Sequence, residues 1–251
     1  DDAVDVWRVG HSFNADLQIR LEGVLTEDER ERAERFAIER PRTEFVVTRA
    51  LLRCLVRLYL PADTPAADSS PFQFETFAHG KPRLVTPAAD ASDPPLRFNV
   101  SHADGLTLLA FTAKRPVGVD VEDARRDPEN LANVARYFAP EERATLDSLA
   151  GSNHREAFFR CWTRKEAYLK ATGRGMSVEL DSFAVSVDPD DARLVRDDGG
   201  DASAWSLTDL DPGEGFAGAL CVRAQELPRV TTRHLDAEAV EALAAGALKP
   251  E

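Results

Sequence analysis

The chain has 251 residues and a net charge of −13, with 31 basic against 44 acidic side chains. This excess of acid argues against sequence-independent binding of nucleic acid, which depends on lysine and arginine neutralising phosphates. Hydrophobic residues make up 43% of the chain, and no apolar run approaches the about 18 residues of a membrane span. We therefore expect a soluble globular protein with a sizeable core and no membrane segment.

The three cysteines, Cys54, Cys161 and Cys221, are widely spaced and odd in number. This pattern predicts neither a disulfide framework nor a structural zinc site, and it favours a reducing, cytoplasmic setting. Residues 1–10 lack a basic segment followed by an apolar one, so we expect no signal peptide. The missing initiator Met suggests trimming.

The first 60 residues predict a strand and three helices. Apolar residues alternate from Val4 to Val9, and an amphipathic segment at 15–25 predicts a short helix. Thr26 and Glu29 have the spacing of a capping box for a second helix. A third helix is predicted over 42–60, with Pro41 at its first position.

A strand is predicted at 71–77, followed by a turn that contains Gly80, Lys81 and Pro82. Gly80 lacks the Cβ that would keep a ligand at a distance, and Lys81 offers three donors to an anion. Most such turns bind nothing, so an ordinary turn is the alternative.

A hairpin is predicted from strands at 96–102 and 106–111. Ser101 and His102 are adjacent at the end of the first strand, so their side chains should diverge and cannot readily form a nucleophile and base. They suit hydrogen bonds to a ligand. The alternative for His102 is a purely structural role.

The turn at 114–116 divides the chain into predicted subdomains of residues 1–113 and 114–251. Strands and helices alternate in the second subdomain. The predicted strands are 117–122, 183–187, 204–207 and 218–222, of which the last three are predicted to complete a second sheet. The predicted helices begin at Asp127 and Pro140 and cover 154–171 and 235–248.

Three carboxylates are predicted to converge in the second half. Asp120 and Glu122 are two residues apart on a strand and should share a face. Glu166 and Lys170 are four apart on a helix and should do likewise. Three close carboxylates repel one another unless they share protons or a hard cation such as Mg²⁺. The alternative is an exposed edge strand and an ordinary helical ion pair.

The order of these motifs resembles that of the Sfp-type 4′-phosphopantetheinyl transferases. The resemblance covers most of the chain and weakens at both ends. It rests on H-G-K-P at 79–82, F-N-V-S-H at 98–102, G-V-D-V-E at 118–122 and W-T-R-K-E-A-Y-L-K-A-T-G-R-G at 162–175.

The resemblance implies an α/β (α+β) fold in which two similar subdomains form a pseudo-dimer within one chain. Each subdomain would hold a small sheet packed on a long helix, and the active site would lie in the cleft between them. The first would bind the nucleotide end of coenzyme A; the second would carry the metal site and a C-terminal tail helix.

The resemblance also implies the reaction. The 4′-phosphopantetheine arm of coenzyme A passes to a serine hydroxyl of an acyl or peptidyl carrier protein, and adenosine 3′,5′-bisphosphate is released. The reaction depends on Mg²⁺, for which Asp120, Glu122 and Glu166 would be ligands. Glu166 would also be the base, directly or through a metal-bound water, and Lys170 would neutralise charge on the pyrophosphate.

Residues at the basic, polar and turn positions of the family motifs would bind coenzyme A. They are Arg32, Arg49, Gly80, Lys81, Pro82, Ser101, His102, Asp120 and Lys170. Glu75 stands where some members have a basic residue, so the resemblance leaves one phosphate contact open. An acidic carrier would have to dock on a local basic or apolar surface of this acidic chain.

The resemblance leaves the pathway open among fatty acid, polyketide and nonribosomal peptide biosynthesis. An internal pseudo-dimer makes a monomer the expected state. A Mg²⁺-dependent nucleotide pyrophosphate hydrolase is an alternative, because the same carboxylates and lysine would serve it. A non-catalytic coenzyme A binder is a second alternative, against which the intact metal ligands argue.

Overall fold

The computed structural model describes residues 3–60, 73–76, 82–85, 96–126 and 133–248. Its first half begins with β1 (Val4–Gly10), α1 (Ala15–Val24), α2 (Glu27–Glu34) and α3 (Glu39–Tyr59). Four strands follow, namely β2 (Gln73–Thr76), β3 (Pro82–Val85), β4 (Arg97–Ala103) and β5 (Leu106–Thr112).

The second half begins with β6 (Val117–Asp123), α4 (Pro140–Asp147) and the long helix α5 (Gly151–Thr172). It continues with β7 (Phe183–Val185), β8 (Leu194–Asp197), β9 (Ser206–Leu210) and β10 (Phe216–Val222). The described chain ends with β11 (Val230–Leu235) and α6 (Ala237–Ala244). None of the described helices combines the length and apolar character needed to cross a membrane.

Two sheets form the centre of the molecule. The first has the strand order β11-β1-β5-β4, and the second has the order β6-β10-β9. Apolar side chains of α3 pack on the first sheet, those of α5 pack on the second, and a third core lies between the two sheets. The chain therefore has the predicted mixed α/β architecture of two sheets, each with its own long helix.

Local signals predicted several elements correctly. Thr26 and Glu29 form the capping box of α2, with the Glu29 amide 3.4 Å from Thr26 Oγ1. The helix α3 begins three residues earlier than predicted, so Pro41 lies within its first turn rather than at its first position. Proline is tolerated there because amides of the first turn have no acceptor within the helix. Gly173 ends α5 at a φ of 70°.

Two predictions about the second half need correction. The strands predicted at 183–187, 204–207 and 218–222 do not form one sheet, because β7 pairs with β8 and β10 lies between β6 and β9. The C-terminal segment does not stay with the second half: β11 pairs with β1 in parallel, and α6 packs against the core of α3. The predicted helix start at Asp127 lies outside the described residues. The subdomain boundary at 113/114 remains a prediction.

Candidate active site

Side chains alternate along β6 between two surfaces. Val119 and Val121 are buried in the core between the sheets. Asp120 and Glu122 face α5 on the opposite side, where they contact its side chains. The predicted common face of the two carboxylates is therefore present, and it is turned toward the helix.

Gly118 allows α5 to lie against β6. A Cβ on this glycine would come within 2.1 Å of the Ala167 carbonyl oxygen and 2.4 Å of the Ala171 amide nitrogen. Both atoms belong to the helix backbone, which cannot relieve the overlap by a change of rotamer as a side chain can. The absence of a side chain at Gly118 thus allows the backbone of α5 to approach β6 closely, which sets the distance between the side chains of the two elements.

Lys170 links the end of α5 to the middle of β6. Its Nζ lies 2.5 Å from Oδ1 of Asp120 and 2.8 Å from Oγ of Ser101. The Ser101 hydroxyl donates to the same Asp120 oxygen at 2.8 Å. These contacts join β4 of the first sheet to β6 and α5 of the second half. We call the place where these three elements meet the seam.

Glu122 is held by an indole from the same helix. Trp162 Nε1 donates to Glu122 Oε1 at 3.0 Å, and the Trp162 ring stacks on Phe138 with centroids 6.0 Å apart. Burial raises the pKa of Glu122, and the charge of Asp120 raises it further. The indole hydrogen bond opposes both effects by stabilising the carboxylate.

Glu166 lies on α5 one turn before Lys170 and is partly buried. Burial raises its pKa to about 7, with the Asp120 charge adding to the effect, Lys170 opposing it and Glu122 adding again. A carboxyl group with this pKa can gain or lose a proton near neutrality, which is the property that a general acid or base requires.

The chemistry of these side chains suits a hard divalent cation. Asp120 Oδ2 is buried without a hydrogen-bond partner, although the other oxygen of the same carboxylate has two. Carboxylate oxygens are the ligands that Mg²⁺ prefers. Within the described residues, no three acidic, histidine or cysteine side chains are already gathered around a possible ion position. The carboxylate donors and the unpaired Asp120 oxygen therefore fit a Mg²⁺ ion, but these residues do not already form a complete coordination shell.

Two family models match consecutive parts of the chain. The model described as 4′-phosphopantetheinyl transferase, N-terminal, matches residues 13–114, and that of the 4′-phosphopantetheinyl transferase superfamily matches residues 116–221. The 4′-phosphopantetheinyl transferase HetI of Nostoc sp. is 34% identical to this chain over 223 residues, which is 88% of each protein. This chain belongs to the 4′-phosphopantetheinyl transferase family. It is accordingly an enzyme.

One further member and one solved structure are more distant. The 4′-phosphopantetheinyl transferase Sfp of Bacillus subtilis is 26% identical over 85% of this chain and 88% of its own. A holo-(acyl-carrier-protein) synthase from Bacillus anthracis, solved in complex with coenzyme A (3′,5′-ADP), is 24% identical. It covers 43% of this chain and 93% of its own with a TM-score of 0.36, a level that supports no argument about this site.

In this phosphopantetheinyl transferase, Ser101 and His102 diverge as predicted for neighbours on a strand. Ser101 is buried, whereas His102 is on the opposite side of β4 and is partly open to solvent. The pKa of His102 is lowered by loss of water around its ring; Glu44 opposes this effect and Lys170 reinforces it.

His11 is a polar residue that the sequence analysis did not select. Its Nε2 lies 2.7 Å from Oγ1 of Thr107, and Thr107 pairs with His102 across the hairpin. Burial lowers the pKa of His11 to about 4, so its ring is neutral at pH 7. No motif marks this histidine, and only the fold brings it to the hairpin.

The two arginines predicted to bind coenzyme A lie beside α2 and α3. The Arg49 guanidinium is 3.6 Å from Glu29 and 5.3 Å from the centre of the Phe74 ring. Arg32 lies over the Phe45 ring at 5.0 Å and is exposed. Their described contacts are separate from those of Asp120 in the seam.

The predicted turn of the H-G-K-P motif is only partly described. Gly80 and Lys81 lie outside the described residues. Pro82 begins β3 and pairs with Thr76 of β2. The position of the turn relative to the seam therefore remains a prediction.

Sequence reasoning also missed a buried ion pair next to the site. Lys165 Nζ donates to both carboxylate oxygens of Glu142, at 2.9 and 2.8 Å, and to the Phe183 carbonyl oxygen. Burial raises the pKa of Glu142 and lowers that of Lys165, while their mutual attraction opposes both shifts. A lysine inside the W-T-R-K-E motif was the available signal, since charged side chains are rarely buried without a partner.

Proposed function

We propose that this enzyme transfers the phosphopantetheine arm of coenzyme A to a serine hydroxyl of an acyl or peptidyl carrier protein. Its membership of the family, shown by a relative that matches over 88% of both chains, carries this proposal. The seam supports it, because an acidic and a basic side chain of the second half meet a hydroxyl group of the first half there, close enough to act on one pyrophosphate group.

In the proposed reaction, the serine oxygen attacks the phosphorus that bears the pantetheine arm. A new phosphodiester bond forms, the bond to the bridging pyrophosphate oxygen breaks, and adenosine 3′,5′-bisphosphate departs. The serine proton must be removed as the bond forms. Glu166 is the candidate acceptor because its pKa of about 7 leaves a substantial deprotonated fraction at neutral pH. It accepts the proton directly or through a water.

We propose Asp120, Glu122 and Glu166 as the residues that hold Mg²⁺. The unpaired Oδ2 of Asp120 supports this assignment. When bound, the ion would neutralise charge on the pyrophosphate. Lys170 adds a fixed positive charge at the same place, which favours departure of the bisphosphate.

We propose that residues of the first half of the chain bind the nucleotide end of coenzyme A. His102 is exposed to solvent at the end of β4, and the positive charge of Lys170 is one of the causes that lower its pKa. Arg32, Arg49, Gly80, Lys81 and Pro82 are the further candidates. Such local basic groups can attract an anionic ligand to a protein whose net charge is −13.

We also propose that the enzyme acts as a monomer in a reducing, cytoplasmic compartment. The described cysteines, Cys54, Cys161 and Cys221, form no disulfide with one another, and the last two are buried. The long helix and sheet of each half already pack together within one chain. Light scattering at two protein concentrations tests the oligomeric state.

Mass spectrometry of an apo carrier protein tests the reaction. The enzyme, coenzyme A and Mg²⁺ are incubated with a panel of carriers from fatty acid, polyketide and nonribosomal peptide synthesis. We expect at least one carrier to gain the mass of one phosphopantetheine, together with release of adenosine 3′,5′-bisphosphate. Free pantetheine phosphate without carrier modification would instead favour the hydrolase, and coenzyme A binding without turnover would favour the non-catalytic binder.

Asp120→Ala is the matched variant for this assay. We expect it to abolish transfer while the protein remains folded, because the substitution removes a proposed ligand and shortens a side chain that lies outside the apolar cores. Circular dichroism verifies the fold. Wild-type turnover in this variant would refute the metal assignment without refuting the transferase activity.

A further inference from the structure

The two sheets meet at strands that do not pair through their backbones. In the described part of the chain, β4 is at the edge of the first sheet and β6 is at the edge of the second. The backbone ladders of β4 and β6 run to β5 and β10 respectively. The facing edge of β6 therefore needs other hydrogen-bond partners, since buried amides are rarely left unpaired.

Side chains of β4 supply those partners. Asn99 Oδ1 accepts a hydrogen bond from the Val119 amide at 2.8 Å, and Ser101 Oγ accepts one from the Val121 amide at 3.3 Å. Asn99 and Ser101 are 3% and 5% exposed, so water cannot readily replace either bond. Both donors and both acceptors are two residues apart. The two bonds therefore fix the register of β6 against β4.

The Ser101 hydroxyl has no remaining hydrogen-bonding capacity. It donates to Asp120 Oδ1, and it accepts from the Val121 amide and from Lys170 Nζ. A hydroxyl group has one donor and two acceptor positions, and all three are used. In this arrangement its single donor is used by Asp120.

Asp120 lies at the centre of this arrangement. Ser101 and Lys170 both bind its Oδ1, while its buried Oδ2 has no partner. A carboxylate fixed through one oxygen presents the other in a defined direction. Partners of this kind commonly orient a ligand for its metal ion.

We propose that Asn99 and Ser101 are positioning residues, which hold β6 in register with β4 and fix Asp120 so that its Oδ2 is available to the cation. This inference rests on the proposed magnesium site but assigns neither residue to coenzyme A binding. It gives the F-N-V-S-H segment a role in joining the two halves of the enzyme at the seam.

Removal of the Ser101 hydroxyl tests the proposal through two binding measurements. Manganese affinity is followed by electron paramagnetic resonance, and coenzyme A affinity is measured by calorimetry in the presence of a chelator. For Ser101→Ala we expect manganese affinity to fall about 10- to 100-fold, the usual effect of losing a partner of a metal ligand. Coenzyme A affinity without metal shows separately whether Ser101 also contacts coenzyme A.

Two variants provide the controls. Ser101→Thr keeps the hydroxyl and should restore most of the manganese affinity. Ser206→Ala removes a hydroxyl that donates to the Ala224 carbonyl oxygen at 2.9 Å, away from the seam, and should leave both affinities unchanged. If Ser101→Ala does not fold, Ser101→Cys replaces it, because a thiol is similar in size but a weak donor.

The opposite pattern would overturn the proposal. Should coenzyme A affinity fall with the hydroxyl while manganese affinity stays at the wild-type value, Ser101 would be a direct ligand of coenzyme A. Asn99→Leu gives a second test, with an expected loss of manganese affinity and of thermal stability but not of coenzyme A affinity. Manganese binding is measured without a carrier protein. A failure of the positioning role can therefore be distinguished from a failure of the proposed transferase activity.

Discussion

The Lys170 ammonium lies 2.5 Å from Oδ1 of Asp120, so the last turn of α5 and the middle of β6 are joined by an ion pair. Asp120 is almost fully buried, whereas the Lys170 side chain is 27% exposed. A lysine in this position can pair with a buried carboxylate and still contact an anion that enters from solvent. Its charge thus has a structural and a proposed catalytic use.

Lys170→Met should separate these two uses. We expect kcat/KM for carrier modification to fall about 10²- to 10³-fold, the usual cost of removing one electrostatic partner of a transition state. Stability should also fall, because Asp120 loses its counter-ion. Lys170→Arg keeps the charge and should retain more activity than Lys170→Met. Equal activity of the methionine variant and the wild type would exclude a role for this charge in transfer.

Glu166 should make stability depend on pH in the cation-free protein. Its folded pKa of about 7 lies above the ordinary value of 4.5, so the folded state binds the proton more tightly than the unfolded state. The associated stabilisation is complete below about pH 4.5 and is lost as the pH rises through about 7. We therefore expect Glu166→Gln to be more stable than the wild type at pH 8 and similar to it at pH 5.

Urea unfolding with a chelator at pH 5 and pH 8 measures this difference, for which about 3 kcal/mol is an upper bound. Added Mg²⁺ should reduce the difference at pH 8, because a bound cation favours the ionised carboxylate. Transfer by the wild type, measured with Mg²⁺, should also decline with a slope of one proton as the pH falls, with a midpoint below the cation-free pKa of about 7. A glutamine variant no more stable than the wild type at pH 8 would contradict the raised pKa.

Trp162→Phe should weaken the use of Mg²⁺ without unfolding the protein. The substitution keeps an aromatic ring beside Phe138 but removes the hydrogen bond to Glu122. We expect the Mg²⁺ concentration for half-maximal transfer to rise about 10-fold or more, as for other partners of metal ligands.

Trp205→Phe is the matched control. This indole packs edge-on against the Tyr168 ring, with the ring centroids 5.5 Å apart. It should lower stability slightly and leave the Mg²⁺ requirement unchanged. If both variants shift that requirement equally, general loosening of α5 would explain the effect instead of the hydrogen bond.

Gly118→Ala should force α5 away from β6. The new methyl group would overlap the Ala167 carbonyl oxygen, and relief requires movement of a helix that carries Glu166 and Lys170. We expect a loss of about 3 kcal/mol or more in the free energy of unfolding, at the upper end for overpacked sites, together with loss of transfer.

Gly23→Ala is the corresponding control in α1. Nothing lies within 4 Å of a Cβ at this position, so the methyl group enters open space. Alanine also favours helix, and we expect the variant to be up to about 1 kcal/mol more stable with normal transfer. Urea unfolding of both glycine variants makes the comparison. A Gly118→Ala protein as stable as the wild type would mean that the helix can move at little cost.

The sequence predicted the elements whose signals are local. Alternation along β6 placed Asp120 and Glu122 on one face, and the spacing of Glu166 and Lys170 placed both on one helix that meets this strand. The contacts of Lys165 with Glu142 and of Ser101 with Asp120 join residues 23 and 19 positions apart. No periodicity encodes such pairs, because they depend on how separate elements pack.

The pairing of strands could not be predicted from local sequence patterns either. β8 has only four residues, of which only Leu194 is buried, and so it lacks the alternation that identifies a strand. The partner of β1 on its outer edge is β11, with Val4 opposite Val230. Neither segment contains a signal that specifies the other, since a buried sheet edge accepts many apolar strands.

The pairing of β11 with β1 affects the order in which the enzyme can be completed during synthesis. Among the described strands, the first sheet contains the first and the last in chain order, so its outer edge stays open until residue 235 has emerged. A nascent chain released at 113 would display the backbone of β1 to solvent. The first sheet can therefore be completed only after all strands of the second sheet have been synthesised, although its own first strand is made before them.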